Sequence, residues 1–259
     1  MTSNQLPLNV KPASYFQLKP QFSYVLGGLL FLISLPLLFA LIVIIRCTSR
    51  GPAIYRQRRV GKNGAEFTMF KLRSMSIDAE HNSGPVWSQP SDPRVNFVGR
   101  ILRKLHLDEI PQLWNVMRGE MDLFGPRPER PEITVILDRE IDGYDQRHLV
   151  LPGITGLAQI NLPPDTDIDS VRKKVLLDLE YISDATFWLD CRMFFATLLR
   201  LLGVPGETVM DLLQVRRVFT DAPINSPNNV DIVHVSQIEQ SRDGDGDGDG
   251  VRVTISQAG

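Results

Sequence analysis

The chain has 259 residues, 43% of them hydrophobic and 22% charged, with a formal net charge of -2, which is room for one well-buried domain plus an anchor. The small net charge hides an uneven distribution: residues 46–73 carry eight basic side chains against Glu66 alone, while residues 243–249 carry four Asp. A basic block beside an apolar run suits anionic lipid headgroups or a phosphorylated substrate, and nothing has the aromatic interleaving of a nucleic-acid module, so nucleic acid is excluded as a partner.

Cys47 and Cys191 are the only thiols. With no Cys-x-x-Cys or His-rich cluster around them, a disulfide framework and a zinc site have no support, and two buried free thiols are expected.

Tyr24 to Ile45 reads YVLGGLLFLISLPLLFALIVII, with no charge in 22 residues. At a rise of ~1.5 Å per residue it is long enough for the ~30 Å hydrocarbon layer. A cleaved signal peptide fits poorly, because the run is too long, a Pro-rich stretch precedes it and no small-x-small site follows. Arg46 directly before Cys47 also argues against a lipoprotein site. Pro36 removes a backbone donor inside the run, so a kink is expected there, with Ser34 placed to take up a freed carbonyl. A simple span and a re-entrant hairpin both fit the residues. Lys11 and Lys19 precede the run without any acid in the first 23 residues, and the stronger basic block after it puts the C-terminal side in the cytoplasm.

Ala53–Val60 and Glu66–Leu72 alternate bulky and polar residues around Gly61-Lys62-Asn63-Gly64, the pattern of a β-hairpin. Ser83–Pro93 is a Gly/Pro loop by composition. Helical spacing predicts helices over Phe97–Leu105 and Glu109–Met117, on either side of Asp108. Met121–Gly125 suits a strand, and Pro126-Arg127-Pro128 holds a single arginine on a stiff stalk. Helices follow over Glu129–Ile141 and Ile168–Ser183, with Pro152–Gly156 as the start of a strand between them. A last helix over Thr186–Leu202 carries a broad apolar face, equally compatible with a core helix and with one lying in a membrane interface. Beyond about Ala222 the chain turns polar and ends in DGDGDGDG, so disorder is expected. Its spacing resembles the start of a calcium loop, but Thr254 stands where a bidentate Glu is needed.

Asp108 and Glu109 follow the basic stretch Arg100, Arg103, Lys104 and precede Pro111. The spacing admits two roles. Asp108 can be a helix N-cap with Pro in the first turn, or an ionised carboxylate beside arginines where a divalent metal and a diphosphate meet. Lys71, Arg73 and Arg127 are further phosphate-binding candidates. The four histidines form no zinc or triad signature, which argues against hydrolysis by zinc or serine.

Taken in order, YRQRRVG at Tyr55–Gly61, FKLRSM at Phe70–Met75, LDEIPQLWNVMRGEMDLFGPRPE at Leu107–Glu129 and LPGITGLAQI at Leu151–Ile160 resemble the bacterial sugar transferases, the monotopic polyprenol-phosphate phosphoglycosyl transferases. The resemblance covers roughly Tyr24 to Leu202. It implies transfer of sugar-1-phosphate from a nucleotide sugar, usually UDP-linked, to undecaprenyl phosphate, with release of UMP, as a first step of exopolysaccharide, O-antigen or glycoconjugate synthesis. It implies Asp108-Glu109 as the catalytic dyad, with Asp108 the nucleophile and a Mg²⁺ ligand and Glu109 the supporting acidic residue. Arg103 and Arg127 match the family's phosphate-binding arginines. The resemblance also favours a proline-broken, re-entrant membrane helix that enters and leaves on the cytoplasmic face of the inner membrane. This chain has Ser34-Leu35-Pro36 where an adjacent Ser-Pro is usual, and Leu157 where Trp is common.

The expected fold is α+β and mainly helical. An N-terminal cytoplasmic segment (1–23) and a re-entrant helix (24–46) lead into a catalytic domain (47–221) with a small β-hairpin and amphipathic interfacial helices, followed by an acidic Gly/Asp tail (222–259). The expected partners are a UDP-sugar, undecaprenyl phosphate and inner-membrane lipid, with a homo-oligomer left open. Two rivals stand beside this reading: a membrane-tethered assembly protein whose Asp108 only caps a helix, and a transferase using a different lipid phosphate. The identity of the sugar is not written in the residues.

Overall fold

A computed structural model describes residues 9–75, 94–221 and 230–234. Its first long element, α1 (Lys19–Thr48), is a helix of 30 residues, about 45 Å long at ~1.5 Å per residue. It is long and apolar enough to cross a membrane. The helix begins earlier than the apolar run and does not end at Pro36, which lies inside it. The expected break is therefore not an interruption of the helix. The Ser34 hydroxyl donates to the Phe31 carbonyl at 2.8 Å, one residue before the carbonyl that the proline leaves without its usual donor.

α1 lies along the rest of the molecule. Lys19, Ser23, Gly27, Leu38, Leu41 and Ile45 form its buried stripe, while Val25, Leu29, Ile33 and Phe39 are exposed on other faces. Cys47 is exposed near its end and Cys191 is half-buried, so the two thiols remain free but neither is a buried core residue. At the N-terminal end, Lys19 donates to the Phe124 carbonyl at 2.5 Å and to the Tyr181 hydroxyl, and it lies 3.3 Å from Asp190 and 3.5 Å from Asp122. Ser23 donates to Asp122 at 2.7 Å. At the other end, Leu38, Leu41 and Ile45 pack with Ala53, Leu72 and Leu102. Both ends of α1 are therefore bound to one folded body.

The predicted hairpin is present: β1 (Ile54–Val60) pairs antiparallel with β2 (Glu66–Leu72), Val60 opposite Glu66. Asn63 takes the left-handed φ of 55° in its turn. α2 (Phe97–Lys104) starts on an Asn96 cap, whose side chain accepts from the Gly99 N–H. A Cβ on Gly99 would fall 1.9 Å from the Ser74 carbonyl oxygen, so only glycine lets α2 sit this close to the end of β2. The helix predicted over Glu109–Met117 divides into a 3-10 turn, Leu107–Glu109, and α3 (Gln112–Met117). Pro111 lacks an N–H and fills the N-cap place of α3.

β3 (Asp122–Phe124) pairs in parallel with β4 (Gly153–Thr155), and these strands frame α4 (Pro131–Glu140) and a 3-10 stretch, Tyr144–Leu149. The strands approach so closely that a Cβ on Gly153 would lie 2.1 Å from the Gly125 nitrogen. Helices α5 (Leu157–Asn161), α6 (Ile168–Asp184), α7 (Phe187–Leu201) and α8 (Gly206–Leu212) close the body. Asp167 and Ser170 form a capping box at the start of α6.

α7 packs one face into the core and leaves an apolar face exposed. Asp190, Met193 and Ala196 are buried, while Phe187, Trp188, Phe195, Leu198 and Leu202 at its end are exposed. Phe187 meets Phe22 of α1 at 5.9 Å between ring centroids, so the exposed apolar faces of α1 and α7 are continuous.

The main core joins Met69, Val116, Leu123, Leu157, Met193 and Val209. The result is an α+β body, mostly helical, with two-stranded sheets. β5 (Arg217–Asp221) pairs with β6 (Val230–His234), so five residues expected to be disordered form a strand, where β-branched Val and Ile favour it. The loop expected over Ser83–Pro93 and the Asp/Gly run at 243–250 lie outside the described residues.

Candidate active site

Asp108 sits in the middle of the turn between α2 and α3. His106, immediately before the turn, takes a left-handed φ of 52° and reverses the chain direction. Leu107 and Ile110 pack into the cluster that contains Leu38, Leu41 and Ile45 of α1. This packing sets Asp108 and Glu109 against the apolar helix.

The two carboxylates differ sharply. Glu109 accepts from Lys71 at 3.0 Å and from Arg127 at 2.6 Å, both on the same oxygen. Burial alone would raise its pKa, but Arg127 and Lys71 outweigh burial and hold it well below the usual carboxylate range. Burial lowers the pKa of Lys71 despite Glu109, whereas Arg127 is raised, chiefly by Glu109.

Asp108 is 8% exposed. Among the described residues its side chain accepts no hydrogen bond and caps no helix: the 3-10 turn and α3 both begin without a side-chain cap. The N-cap role admitted by the spacing is therefore absent. Burial and the Glu109 charge raise its pKa, while Lys71, Arg103 and Arg127 oppose them. Arg103 is anchored by its Nε, which donates to Ser74 Oγ at 2.8 Å, the contact that the close approach at Gly99 makes possible.

Of the sequence-predicted residues, the structure brings together Asp108, Glu109, Lys71, Arg103 and Arg127. Arg73 goes elsewhere. Its Nη2 donates to the carbonyl and hydroxyl of Ser49 at 3.1 and 2.6 Å, at the C-cap of α1.

Arg127 is held by bonds to the backbone around it. The carbonyl of Pro126 accepts from Gly153, that of Arg127 from Arg147 at 2.8 Å, that of Pro128 from Arg59 at 2.8 Å and that of Glu129 from Val60. Arg147 in turn donates to Asp178 at 2.7 Å and to the Tyr144 hydroxyl at 2.8 Å, and Lys174 lies 2.7 Å from Glu129 and 2.6 Å from Asp165. Sequence reasoning missed this support. Its signal was the placing of Lys174 and Asp178 one turn apart on the buried stripe of α6, with Val171, Val175 and Ile182. Charges inside an apolar stripe imply partners.

Among the described residues no group of three or more His, Cys, Asp or Glu side chains is placed to hold a metal ion. A site completed by substrate phosphates needs fewer protein ligands, and within the pair Asp108 is the carboxylate that accepts no hydrogen bond among the described residues.

The profile of the bacterial sugar transferase family matches residues 14–203. The chain is 42% identical over 163 residues to the UDP-N-acetylgalactosamine-undecaprenyl-phosphate N-acetylgalactosaminephosphotransferase of Aeromonas hydrophila, covering 63% of this chain and 38% of that one. It is 39% identical over 178 residues to the UDP-glucose:undecaprenyl-phosphate glucose-1-phosphate transferase of Escherichia coli (strain K12), covering 68% of this chain and 38% of that one. A relative of that same name in Caulobacter vibrioides is 38% identical over 180 residues, with 69% of this chain and 67% of the relative covered. The chain thus spans under two fifths of the length of the Aeromonas and Escherichia relatives.

Proposed function

The chain belongs to the bacterial sugar transferase family, and on that premise we propose that it moves sugar-1-phosphate from a UDP-sugar to undecaprenyl phosphate through a covalent intermediate on Asp108. The observation that carries this reading is the contrast within the pair: Glu109 is pinned by two cations, whereas the Asp108 carboxylate beside it accepts no hydrogen bond among the described residues and feels the charges of Lys71, Arg103 and Arg127.

An Asp108 oxygen attacks the sugar-bearing phosphorus, the bridging P–O bond breaks, and UMP leaves with the bond's electron pair. A phosphate oxygen of the lipid then attacks the same phosphorus and expels the Asp108 carboxylate, leaving a lipid-linked diphosphosugar. Glu109 stays ionised throughout and orients Lys71 and Arg127 toward the charge on the transferred phosphoryl group. Asp108 and the donor's diphosphate oxygens suit a magnesium ion, which when bound would neutralise diphosphate charge. Arg103 and Arg127 bind phosphate oxygens.

The attachment of both ends of α1 to one body supports a helix that enters and leaves the same membrane face. A spanning helix would put Lys19 and Ile45 on opposite sides, yet Lys19 is buried against Phe124, Asp122 and Asp190, and Ile45 against Ala53 and Leu72. The basic block after α1 supports the cytoplasm as that face. The exposed apolar faces of α1 and α7 then lie in the lipid.

The test uses purified protein with UDP-sugar and Mg²⁺ but no lipid. Release of UMP up to one equivalent per chain, retained label on the protein and loss of both in Asp108→Asn are the expected results. Full UMP release by Asp108→Asn would sink the assignment.

A further inference from the structure

Arg73 was grouped with the diphosphate ligands by sequence, and its surroundings are those of a different site. The side chain is 7% exposed, its Nη2 is taken by Ser49, and its Nε and Nη1 find no hydrogen-bond partner among the described residues. Among the described residues no carboxylate offsets its charge, and the charged neighbour acting on it is Arg46, a second cation in the last turn of α1. Burial and Arg46 together lower its pKa, the direction expected of a cation short of a counter-ion. A buried guanidinium with two unpaired nitrogens is costly unless something anionic completes it.

We infer that Arg73, with Arg46 beside it, receives the phosphate monoester of the lipid acceptor, in a second phosphate site distinct from the Lys71–Glu109–Arg127 cluster. The inference rests on the transferase reading above and deepens it. Three observations support it. Ser49 ends the apolar helix, so Arg73 stands where a lipid anchored alongside α1 would present its headgroup. The guanidinium supplies several N–H donors in a fixed plane, the chemistry that recognises phosphate oxygens. Ser74, the next residue along the chain, holds Arg103, which acts on the Asp108 charge. The proposed acceptor site and the nucleophile's site therefore hang from adjacent residues.

The experiment uses the full chain in detergent, with farnesyl phosphate as the acceptor probe, farnesol and short-chain phosphatidylglycerol as comparisons, and UDP as the donor-side probe. Wild type is expected to bind farnesyl phosphate at least about tenfold more tightly than farnesol or phosphatidylglycerol. Arg73→Gln should lose that preference while UDP affinity stays within about twofold, and Arg73→Lys should recover part of it. If Arg73→Gln does not fold, the exposed Arg46→Gln and the conservative Arg73→Lys carry the test, each with a measurable loss expected. Unchanged farnesyl phosphate binding in all variants overturns the inference, leaving Arg73 as a cation capping α1. Equal binding of phosphatidylglycerol also overturns it, because the site then holds a general headgroup. In vesicles with undecaprenyl phosphate, the acceptor KM should rise for Arg73→Gln without a matching rise in the donor KM. A wild-type protein that binds farnesyl phosphate selectively but forms no lipid-linked product with any UDP-sugar would refute the transferase reading instead.

Discussion

Two groups of charges lie one beneath the other in this molecule, and they are built differently. Beneath Arg127, the cations Arg59, Arg147 and Lys174 meet the acids Glu129, Asp165 and Asp178, and each acid has a cation within 3.5 Å. Around Asp108, Lys71 and Arg127 both bond to Glu109 and, with Arg103, act on the Asp108 charge, while Asp108 is bonded to nothing among the described residues. The lower group is balanced and closed, as a scaffold must be, since an uncompensated buried charge is expensive. The upper group keeps an idle carboxylate beside cations, which suits an anionic substrate yet to arrive. Arg127 belongs to both, its side chain in the upper group and its carbonyl held by the lower.

The strongest way to break this contrast is Asp108→Asn. Activity should fall by roughly 10⁴-fold or more, the scale of losing a nucleophile, while thermal stability should hold or rise slightly. The sign follows from the raised pKa: a folded state that prefers protonated Asp108 gains stability at low pH and loses it as pH rises through the folded pKa. Near neutrality the ionised carboxylate is therefore a cost, and asparagine removes it. A melting temperature that dropped steeply would show Asp108 to be structural after all. In the lower group the effect reverses. Arg147→Ala strands Asp178 and frees the Arg127 carbonyl, so it should cost about 3 to 5 kcal/mol of stability, or roughly 10 °C in a melt of a domain this size. Arg147→Lys keeps the charge without the planar fork and should fall between the two. Differential scanning calorimetry of both variants decides the matter.

What the sequence made legible follows from the range of each signal. The hairpin was readable because alternation and a turn are local, and β1 and β2 fall on the expected strands. The pair Asp108-Glu109 and the arginines Arg103 and Arg127 were readable from motif order, but spacing alone also allowed a cap, and only the turn at His106 and the proline before α3 remove that role. The burial of Lys19 was unreadable. Its partners Asp122, Tyr181 and Asp190 come from distant elements, and at the head of an apolar run a lysine normally signals an interfacial anchor. The destination of Arg73 was hidden for the same reason: alternation places it on one face of the strand with Lys71, yet it extends past the end of β2 to the end of α1.

The finest test of the comparison is the pH dependence of the lower group. Burial works to raise the Glu129 pKa, but Lys174, Arg147 and Arg59 bring it down from 4.5 to about 2. A depressed folded pKa means that the ionised carboxylate stabilises the fold above the unfolded value, and that this contribution is lost as pH falls from about 4.5 through about 2. Glu129→Gln cannot lose it, so the stability gap between wild type and variant should narrow steadily across that window and be constant above it, as read from urea midpoints at a series of pH values. A gap that stayed constant down to pH 2 would mean that Glu129 is not held by its cations, and the scaffold under Arg127 would have to be sought in its backbone bonds alone.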